Sequence, residues 1–182
     1  MSEMASDQES EGEVHPLVVE SRPLPKATVL ASLIEPFDDA AWELSFGQDV
    51  VVLPRAQLRD FAAAAKAAGF EMCVDVTAVD HHRARRERFE LVVNLVSQRH
   101  GMRLRIRLII PADDPTVPSL VSIYPGTNFF EREVFDMFGI SFDDHPDMTR
   151  ILMPDDWQGH PLRKDFGVGS VPVQFKESHQ VT

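Results

Sequence analysis

The sequence predicts an α+β domain with a small antiparallel or mixed sheet and helices largely on one face, followed by an extended C-terminal strap at residues 139–182. Three observations lead to this fold class. Apolar residues recur at helical spacing in three segments. In several other segments apolar and polar residues alternate, as in half-buried strands. After Gly139, recurring prolines leave no room for a long helix or a central strand.

The first three predicted elements are a helix, a strand and a second helix. Helical spacing of apolar residues indicates a short helix within residues 26–37, which Pro36 ends. The β-branched run at residues 49–53 predicts a strand. Pro54 then stands as the first residue of an alanine-rich helix over residues 55–68, since proline is favoured at that position and alanine has the strongest helix propensity.

Three further strands are predicted next. Residues 70–79 alternate between two faces, and residues 89–98 and 102–110 form a hairpin around an Arg-His-Gly turn. On the first of these strands, the residues predicted to point one way are Met72, Val74, Val76 and Ala78. On the last, Arg103, Arg105 and Arg107 alternate with Leu104, Ile106 and Leu108. One face of that strand is therefore core, and the other is wet or paired.

The last predicted elements lead into the strap. Residues 119–124 form a further strand or an extended edge, and residues 128–138 form a helix that the following glycine ends. The chain then divides into a disordered acidic leader at 1–24, the α+β domain at 25–138 and the strap, an extended partner-binding tail at 139–182. The strap has too many apolar side chains to remain in water, including Phe142, Ile151, Leu152, Met153, Trp157, Leu162, Phe166, Val171, Val173 and Phe175.

Composition and charge restrict the function classes. The length of 182 residues fits one domain. The formal net charge of −11 argues against a nucleic-acid partner, because phosphate binding requires a basic surface. Its single cysteine, Cys73, excludes an intrachain disulfide framework and a self-contained iron–sulfur cluster. No apolar run is long enough to span a bilayer, and the acidic N-terminus is unlike a basic presequence. These features predict a soluble protein in the compartment where it was made.

Two groups of histidines are candidates for a site. His145, Asp147 and His160 are residue types that bind metals, but the two histidines lack the short spacing that preorganises ligands. A histidine before proline more often fixes a turn by hydrogen bonding. His81 and His82, with the arginines that follow them, are interpreted as a solvated loop.

The predicted helix at 128–138 carries a third group, the carboxylates Glu131, Glu133 and Asp136. Arg132 and Asp136 have the four-residue spacing of an intrahelical ion pair, which is the simpler interpretation. The other interpretation, which the resemblance described below favours, is that this helix faces another subunit, where desolvated charge pairs set register and specificity. The sequence has no phosphate loop, dinucleotide fingerprint or nucleophile motif, so it predicts no catalytic, cofactor-binding or metal site.

The last third of the chain carries a long, ordered set of motif residues that resembles a known family. They are Glu131, Arg132, Glu133, Asp136, Phe138, Gly139, His145, Pro146, Asp147, Arg150, His160, Pro161, Leu162, Arg163, Lys164, Asp165 and Phe166. Residues 128–166 closely resemble the signature of the 30 kDa (C-type) subunit of bacterial proton-pumping NADH:quinone oxidoreductase (respiratory complex I), and residues 49–175 resemble the family loosely. Two positions depart: Phe129 stands where tryptophan is frequent, and Gly167 where proline is usual.

The resemblance implies a structural subunit of the peripheral arm, with these motif residues at subunit interfaces. Its partners would be the 49 kDa (D-type) quinone-site subunit and the iron–sulfur subunits of the B and I types. No cofactor is implied in this chain, since FMN, iron–sulfur clusters and quinone belong to other subunits. The implied location is the cytoplasmic face of the bacterial cell membrane, with membrane contact only through partner subunits.

Three alternatives remain open at this stage. Related subunits occur in membrane-bound hydrogenases, in the coenzyme-F420-linked dehydrogenase and in the photosynthetic NDH complex, so the electron donor and the quinone are not determined. A stand-alone metalloenzyme would use His145, Asp147 and His160. A free-standing binding module would not explain the apolar surface of the strap.

Overall fold

The computed structural model describes residues 27–167. The predicted leader at 1–24 and the strap from residue 168 onward lie outside the described residues. Within that range the predicted α+β fold is confirmed, with a five-stranded mixed sheet and three α-helices. No helix of the described part has the length and apolar character needed to cross a lipid bilayer.

The main sheet has five strands in the spatial order β1-β2-β5-β4-β3. They are β1 (Ala41–Ser45), β2 (Gln48–Leu53), β3 (Met72–Asp80), β4 (Phe89–Ser97) and β5 (Met102–Ile110). The β2–β5 pair is parallel and the other pairs are antiparallel. The predicted hairpin is confirmed as β4 and β5, with Ser97 opposite Met102.

The two faces of this sheet differ in chemistry. One face, called the core face, carries the buried apolar residues Val51, Leu53, Val76, Ala78, Phe89, Leu91, Val93, Leu95, Leu104, Ile106, Leu108 and Ile110. The opposite, outer face carries Arg103, Arg105 and Arg107, which confirms the predicted alternation along β5. Strand side chains alternate between faces, so this one strand separates the apolar core from a charged surface.

Three helices complete the core: α1 (Thr28–Ile34), α2 (Leu58–Ala67) and α3 (Thr127–Phe138). Their buried apolar residues join the core face of the sheet in one cluster. Pro54 is not the first helical residue as predicted. Its backbone is extended, with ψ 139°, and a 3₁₀ turn at Arg55–Gln57 precedes α2.

Three local predictions were wrong. Strand β1 was not predicted, and residues 119–124 form turns, not a strand. The strand in that region is the short β6 (Thr116–Pro118), which pairs in parallel with β7 (Ser141–Asp143). In β3 a register shift between Cys73 and Asp75 breaks the alternation, so Met72 and Val74 are exposed whereas Val76 and Ala78 are buried.

The folded core continues past residue 138, where the predicted domain ends. Ile140 is fully buried and Phe142 nearly so, and both belong to the main apolar cluster. Gly139 ends α3 in the left-handed conformation, with φ 72°, as the sequence predicted for a helix stop. After the turn at Gly139, the first residues of the strap therefore pack against the core through Ile140 and Phe142. The later residues of the strap then run over α3.

Candidate functional site

Helix α3 carries two fully buried carboxylates, Glu131 and Asp136, whose oxygens all accept hydrogen bonds. The donors lie outside the helix, except for Thr127 at its start. Glu131 accepts hydrogen bonds from Ser119 Oγ at 2.7 Å, from the Leu120 main-chain N–H at 2.7 Å and from Thr127 Oγ1 at 2.8 Å. These bonds hold the turns at residues 119–126 on the N-terminal end of α3. Since burying a polar group is costly unless its oxygens accept hydrogen bonds, these three bonds give Glu131 a structural role.

Asp136 is the centre of the contact between α3 and the strap. Its Oδ2 accepts the main-chain N–H groups of Ile151, Leu152 and Met153 at 3.1, 2.8 and 2.8 Å, and its Oδ1 accepts Arg150 Nη1 at 2.5 Å. Burial alone raises the pKa of Asp136, but the bonds from these N–H groups and from Arg150 outweigh it and lower the pKa below its usual value. Asp136 is therefore ionised at neutral pH.

The C-terminal carbonyls of α3 are also bonded by the strap. His160 Nδ1 lies 3.0 Å from the main-chain carbonyl oxygen of Asp136. The Leu162 N–H donates to the carbonyl of Met137 at 3.0 Å, and Arg163 Nε donates to the carbonyl of Phe138 at 2.5 Å. A helix leaves its last carbonyls without partners inside the helix, and cations near them are stabilised by the helix dipole. The strap therefore acts as the C-terminal cap of α3.

Gly139 is required at this junction for two reasons. Its φ of 72° lies in the left-handed region, which other residues rarely adopt. A Cβ atom there would also come within 2.5 Å of Arg163 Nη2 and His160 Nε2. The strap can thus approach the end of α3 only over a residue without a side chain.

A third buried carboxylate, Asp80 at the end of β3, holds the far part of the strap. Arg88 donates to it from Nε at 3.0 Å and from Nη2 at 2.8 Å, and the main-chain N–H groups of His82 and Lys164 each donate at 2.8 Å. Burial raises the pKa of Asp80, but these donors overcome it and lower the pKa to about 2. Arg88 also donates to the carboxylate of Asp165, from Nη1 at 2.9 Å and from Nη2 at 2.5 Å. The strap is therefore bound at a second point.

The intrahelical ion pair between Arg132 and Asp136, the simpler of the two interpretations of this helix, does not form. Arg132 instead donates to the Thr149 oxygen at 3.1 Å, to Thr149 Oγ1 at 2.9 Å and to the Arg150 oxygen at 3.1 Å. The partner of Asp136 is Arg150. Four-residue spacing allows an intrahelical pair, but the strap offers both residues partners that also satisfy main-chain groups.

The loop after β3 is only partly the solvated loop that was predicted. Arg83 and Arg86 are exposed, whereas the Arg88 side chain is 16% exposed and bonds to Asp80. His81 lies 3.5 Å from Glu90 and is mostly buried. Asp80 and Arg88 did not stand out as a site because Lys164, one of their strap partners, is 84 residues from Asp80.

The structure brings most of the motif residues together but does not arrange them as metal ligands. His145 Nε2 faces the Asn128 oxygen at 3.3 Å, its Nδ1 accepts the Asp147 N–H at 3.1 Å, and His160 bonds to α3. Across residues 27–167, no three His, Cys, Asp or Glu side chains are grouped as a metal site requires. Pro146, Asp147, Glu133 and the Lys164 side chain are exposed, and Pro161 is half-buried.

Apolar side chains remain exposed on this junction after all these bonds are made. Phe129 of α3 is 61% exposed, and Leu152 and Leu162 of the strap are 59% and 53% exposed. Deeper in the strap, Trp157 stacks on Phe166 with ring centroids 6.3 Å apart. Where the strap contacts α3, hydrogen bonds therefore hold the main chain of the strap, while large apolar side chains remain exposed to solvent.

Comparisons with known proteins agree with this architecture. The model of the family described as respiratory-chain NADH dehydrogenase, 30 kDa subunit, matches residues 51–171. The C-type subunit of the NADH-quinone oxidoreductase of Saccharopolyspora erythraea is 49% identical over 107 residues. That alignment covers 59% of this chain and 43% of the relative, so this chain matches less than half of the relative's length.

Two solved structures have the same fold. A trypsin-resistant fragment of Nqo5 (1–134) superposes with a TM-score of 0.59 at 35% identity, covering 65% of this chain and 96% of that one. A chain of a membrane-bound sulfane sulfur reductase, an archaeal respiratory membrane complex, superposes with a TM-score of 0.69 at 25% identity, covering 85% and 96%. Because the family model matches well over half of its length, the chain belongs to the family of the 30 kDa subunit of respiratory-chain NADH dehydrogenase.

Proposed function

We propose that this chain is a non-catalytic structural subunit of the peripheral arm of a proton-translocating NADH:quinone oxidoreductase. In this proposal it docks on the 49 kDa quinone-site subunit and lies near the iron–sulfur subunits of the B and I types. The observation that carries the proposal is the strap, whose main chain is bonded to α3 and β3 while Leu152 and Leu162 point to solvent. Family membership supplies the kind of complex.

The geometry supports docking because the main chain of the strap is already held in place in its described part, residues 139–167. Its path is set by bonds from Asp136 and Asp80 to main-chain N–H groups, so a partner need not supply the free energy that orders it. Burying each large apolar side chain stabilises the contact by about 1.5–3 kcal/mol. Phe129, Leu152 and Leu162 are still 53–61% exposed, so each can contribute roughly half of that amount to a partner interface.

The polar groups of the junction support a structural role over a catalytic one. Glu131, Asp136 and Asp80 are each saturated by donors from this chain, and Arg163 and His160 are engaged with α3 carbonyls. The carboxylate oxygens therefore already have donors within the chain, and this favours a structural role. Electron transfer from NADH to quinone would then use FMN, iron–sulfur clusters and quinone held by other subunits, at the cytoplasmic face of the bacterial membrane.

A second candidate function assigns the same fold to a subunit of a different enzyme complex. The similarity to a chain of an archaeal membrane-bound sulfane sulfur reductase covers 85% of this chain. It favours, as the alternative, an equivalent subunit of a related membrane-bound hydrogenase or F420-linked dehydrogenase. The two candidates differ in the proteins that accompany the chain.

The test is purification of the tagged full chain from membranes in mild detergent, with mass spectrometry of the proteins that accompany it. Flavin, iron–sulfur and 49 kDa-type subunits are expected. A hydrogenase-type large subunit would favour the alternative, and recovery of the chain alone would contradict both.

The docking surface is tested in the same experiment with Leu152→Asp combined with Leu162→Asp. Neither side chain is needed for the bonds of the junction, so the domain should fold while the accompanying subunits are lost. Leu44→Asp is the matched control, because Leu44 is also 53% exposed but lies on edge strand β1. If both variants retain all subunits, the strap is not the docking surface.

Loss of the bonds between the strap and α3 should also reduce the amount of assembled complex. Asp136→Ala and Arg163→Ala remove bonds that hold the strap on α3, so the amount of complete complex is expected to fall. Native gel electrophoresis with an activity stain measures both quantities. A full amount of assembled but inactive complex would contradict the structural role.

A further inference from the structure

The outer face of the sheet holds an arginine-lined cavity that the α3–strap junction does not involve. Its volume is about 630 Å³, and it opens between the β1–β2 turn and the β4–β5 turn. Its walls include Phe46, Val74, Val96, Met102, Arg103 and Arg105. We refer to it as the arginine cavity.

The charge of the outer face is unbalanced at this end. Along β5, Arg107 is paired with Glu90 and Glu43, each at 2.8 Å. Arg105 donates only to the amide oxygen of Asn94, at 3.2 Å. Among the described residues, Arg103 and Arg105 form no ion pair with a carboxylate. Asp49 also lines the cavity, but one of its oxygens accepts Trp42 Nε1 at 2.9 Å.

The cavity also presents apolar surface. Phe46 sits at the tip of the β1–β2 turn with φ 49° and a fully exposed side chain. Val74 is 42% exposed at the β3 bulge. Two cationic groups beside exposed apolar groups fit an acidic peptide segment that carries some apolar residues.

The sequence itself contains such a segment, ahead of Ala27. Six carboxylates occur before the first basic residue, Arg22, and they are Glu3, Asp7, Glu9, Glu11, Glu13 and Glu20. The apolar residues of the same segment include Met4, Val14, Leu17, Val18 and Val19. Its charge is opposite to that of the cavity, which favours association.

The described chain begins at the same end of the sheet as the cavity. Helix α1 runs antiparallel to α2, since Phe37 packs on Phe61 with centroids 5.1 Å apart while Val29 lies along the later residues Ala64 and Ala68. The end of α2 in turn meets the β4–β5 turn, where His100 Nε2 is 3.0 Å from the Ala68 oxygen. Ala27 is therefore close to the turn that borders the arginine cavity.

The tether is long enough to reach it. Ser10 is 17 positions before Ala27, and a random coil of 17 residues has an end-to-end distance of roughly 20–25 Å. A 9-residue strand such as β5 is itself about 30 Å long. Because a short tether gives an effective concentration in the millimolar range, even weak ionic contacts suffice.

We propose that the arginine cavity binds the acidic N-terminal segment of the same chain, with its carboxylates on Arg103 and Arg105. The segment then covers Phe46 and balances the charge of the outer face. The proposal does not depend on the identity of the complex, since it concerns two parts of one chain.

The test is paramagnetic broadening in the full chain. A spin label on Ser10→Cys, in a Cys73→Ser background, should broaden amide signals of residues 46–49, 94–96 and 101–105 more than those of residues 82–88 at the opposite end of β4. The combined change Arg103→Glu with Arg105→Glu should abolish the difference. Arg83→Glu with Arg86→Glu is the matched control, because it makes the same change of charge on two exposed residues at that opposite end.

Two further measurements keep the proposal falsifiable if the double variant fails to fold. Glu9→Gln with Glu11→Gln and Glu13→Gln leaves the domain untouched and should also abolish the broadening, as should 1 M salt, which shortens the screening length to about 3 Å. Equal broadening in all variants overturns the proposal. Broadening in a mixture of spin-labelled and isotope-labelled chains also overturns it, because the occupant is then a second copy.

Discussion

Where the strap contacts α3 and β3, buried carboxylates accept hydrogen bonds from main-chain N–H groups as well as from arginines, whereas on the outer face of the sheet the charged side chains pair with one another. Asp136 receives three consecutive N–H groups of the strap, and Asp80 receives the Lys164 N–H. On the outer face, Arg107 is paired with Glu90 and Glu43. The difference shows how one domain can fix a long irregular segment and still leave its side chains free for a partner.

The largest effect on this comparison is expected from Asp136→Ala. The substitution leaves Arg150 without its buried partner and three N–H groups without an acceptor, so unfolding free energy should fall by about 3–5 kcal/mol. Urea unfolding followed by circular dichroism measures it. Glu133→Ala, on an exposed site of the same helix, is the control and should change stability by no more than about 0.5 kcal/mol. Equal losses in the two variants would show that Asp136 does not hold the strap.

A smaller but clear effect is expected from Gly139→Ala. The new Cβ atom meets Arg163 and His160, and the left-handed backbone is unfavourable for alanine, so a loss of about 2–3 kcal/mol is expected. Gly126→Ala is the control, because φ there is −64° and nothing lies within 4 Å. A thermal melt that ranks the two variants the other way round would refute the close approach of the strap.

The pH dependence of stability should report Asp80. Its pKa is lowered from 3.8 to about 2, so the ionised form is favoured in the folded state. The resulting stabilisation of about 2 kcal/mol is present above pH about 4 and is lost as the pH falls towards 2. Asp80→Asn should flatten this part of the profile, measured by urea unfolding between pH 2 and 5. An unchanged acid limb would mean that other carboxylates dominate it.

The smallest effect is expected on the outer face. Glu43→Gln removes one partner of Arg107, whose side chain keeps its bonds to Glu90. Since both residues are partly exposed, the loss should be under about 1 kcal/mol and should shrink further in high salt. A loss as large as that of Asp136→Ala would remove the contrast between the two regions.

Local patterns in the sequence were enough for the elements whose causes are local. The β4–β5 hairpin, α2 and the stop of α3 at Gly139 follow from alternation, helix propensity and a single glycine, and the structure confirms them. Strand β1 escaped prediction because its five residues owe their conformation to pairing with β2. The bulge in β3 depends on its partner strand in the same way.

The candidate site divides along the same line. The motif identified the residues that gather at the junction, including Asp136, Arg150 and Arg163. Their actual partners could not be read from spacing, since Asp136 meets residues 14–17 positions away and Asp80 meets one 84 positions away. The spacing on one helix turn allowed a pair between Arg132 and Asp136, but each of them bonds to the strap instead.

The parallel pairing of β2 with β5 has a consequence for the order of folding. Asp49 lies opposite Leu104, and β5 also pairs with β4, so β5 is the central strand of the sheet. The β1–β2 hairpin lies ahead of it in the chain and cannot join the sheet until residues 102–110 have been synthesised. Contacts that close such long loops slow folding. We expect the local β4–β5 hairpin to form first, the amino-terminal hairpin to dock on it, and the strap to close over α3 at the end.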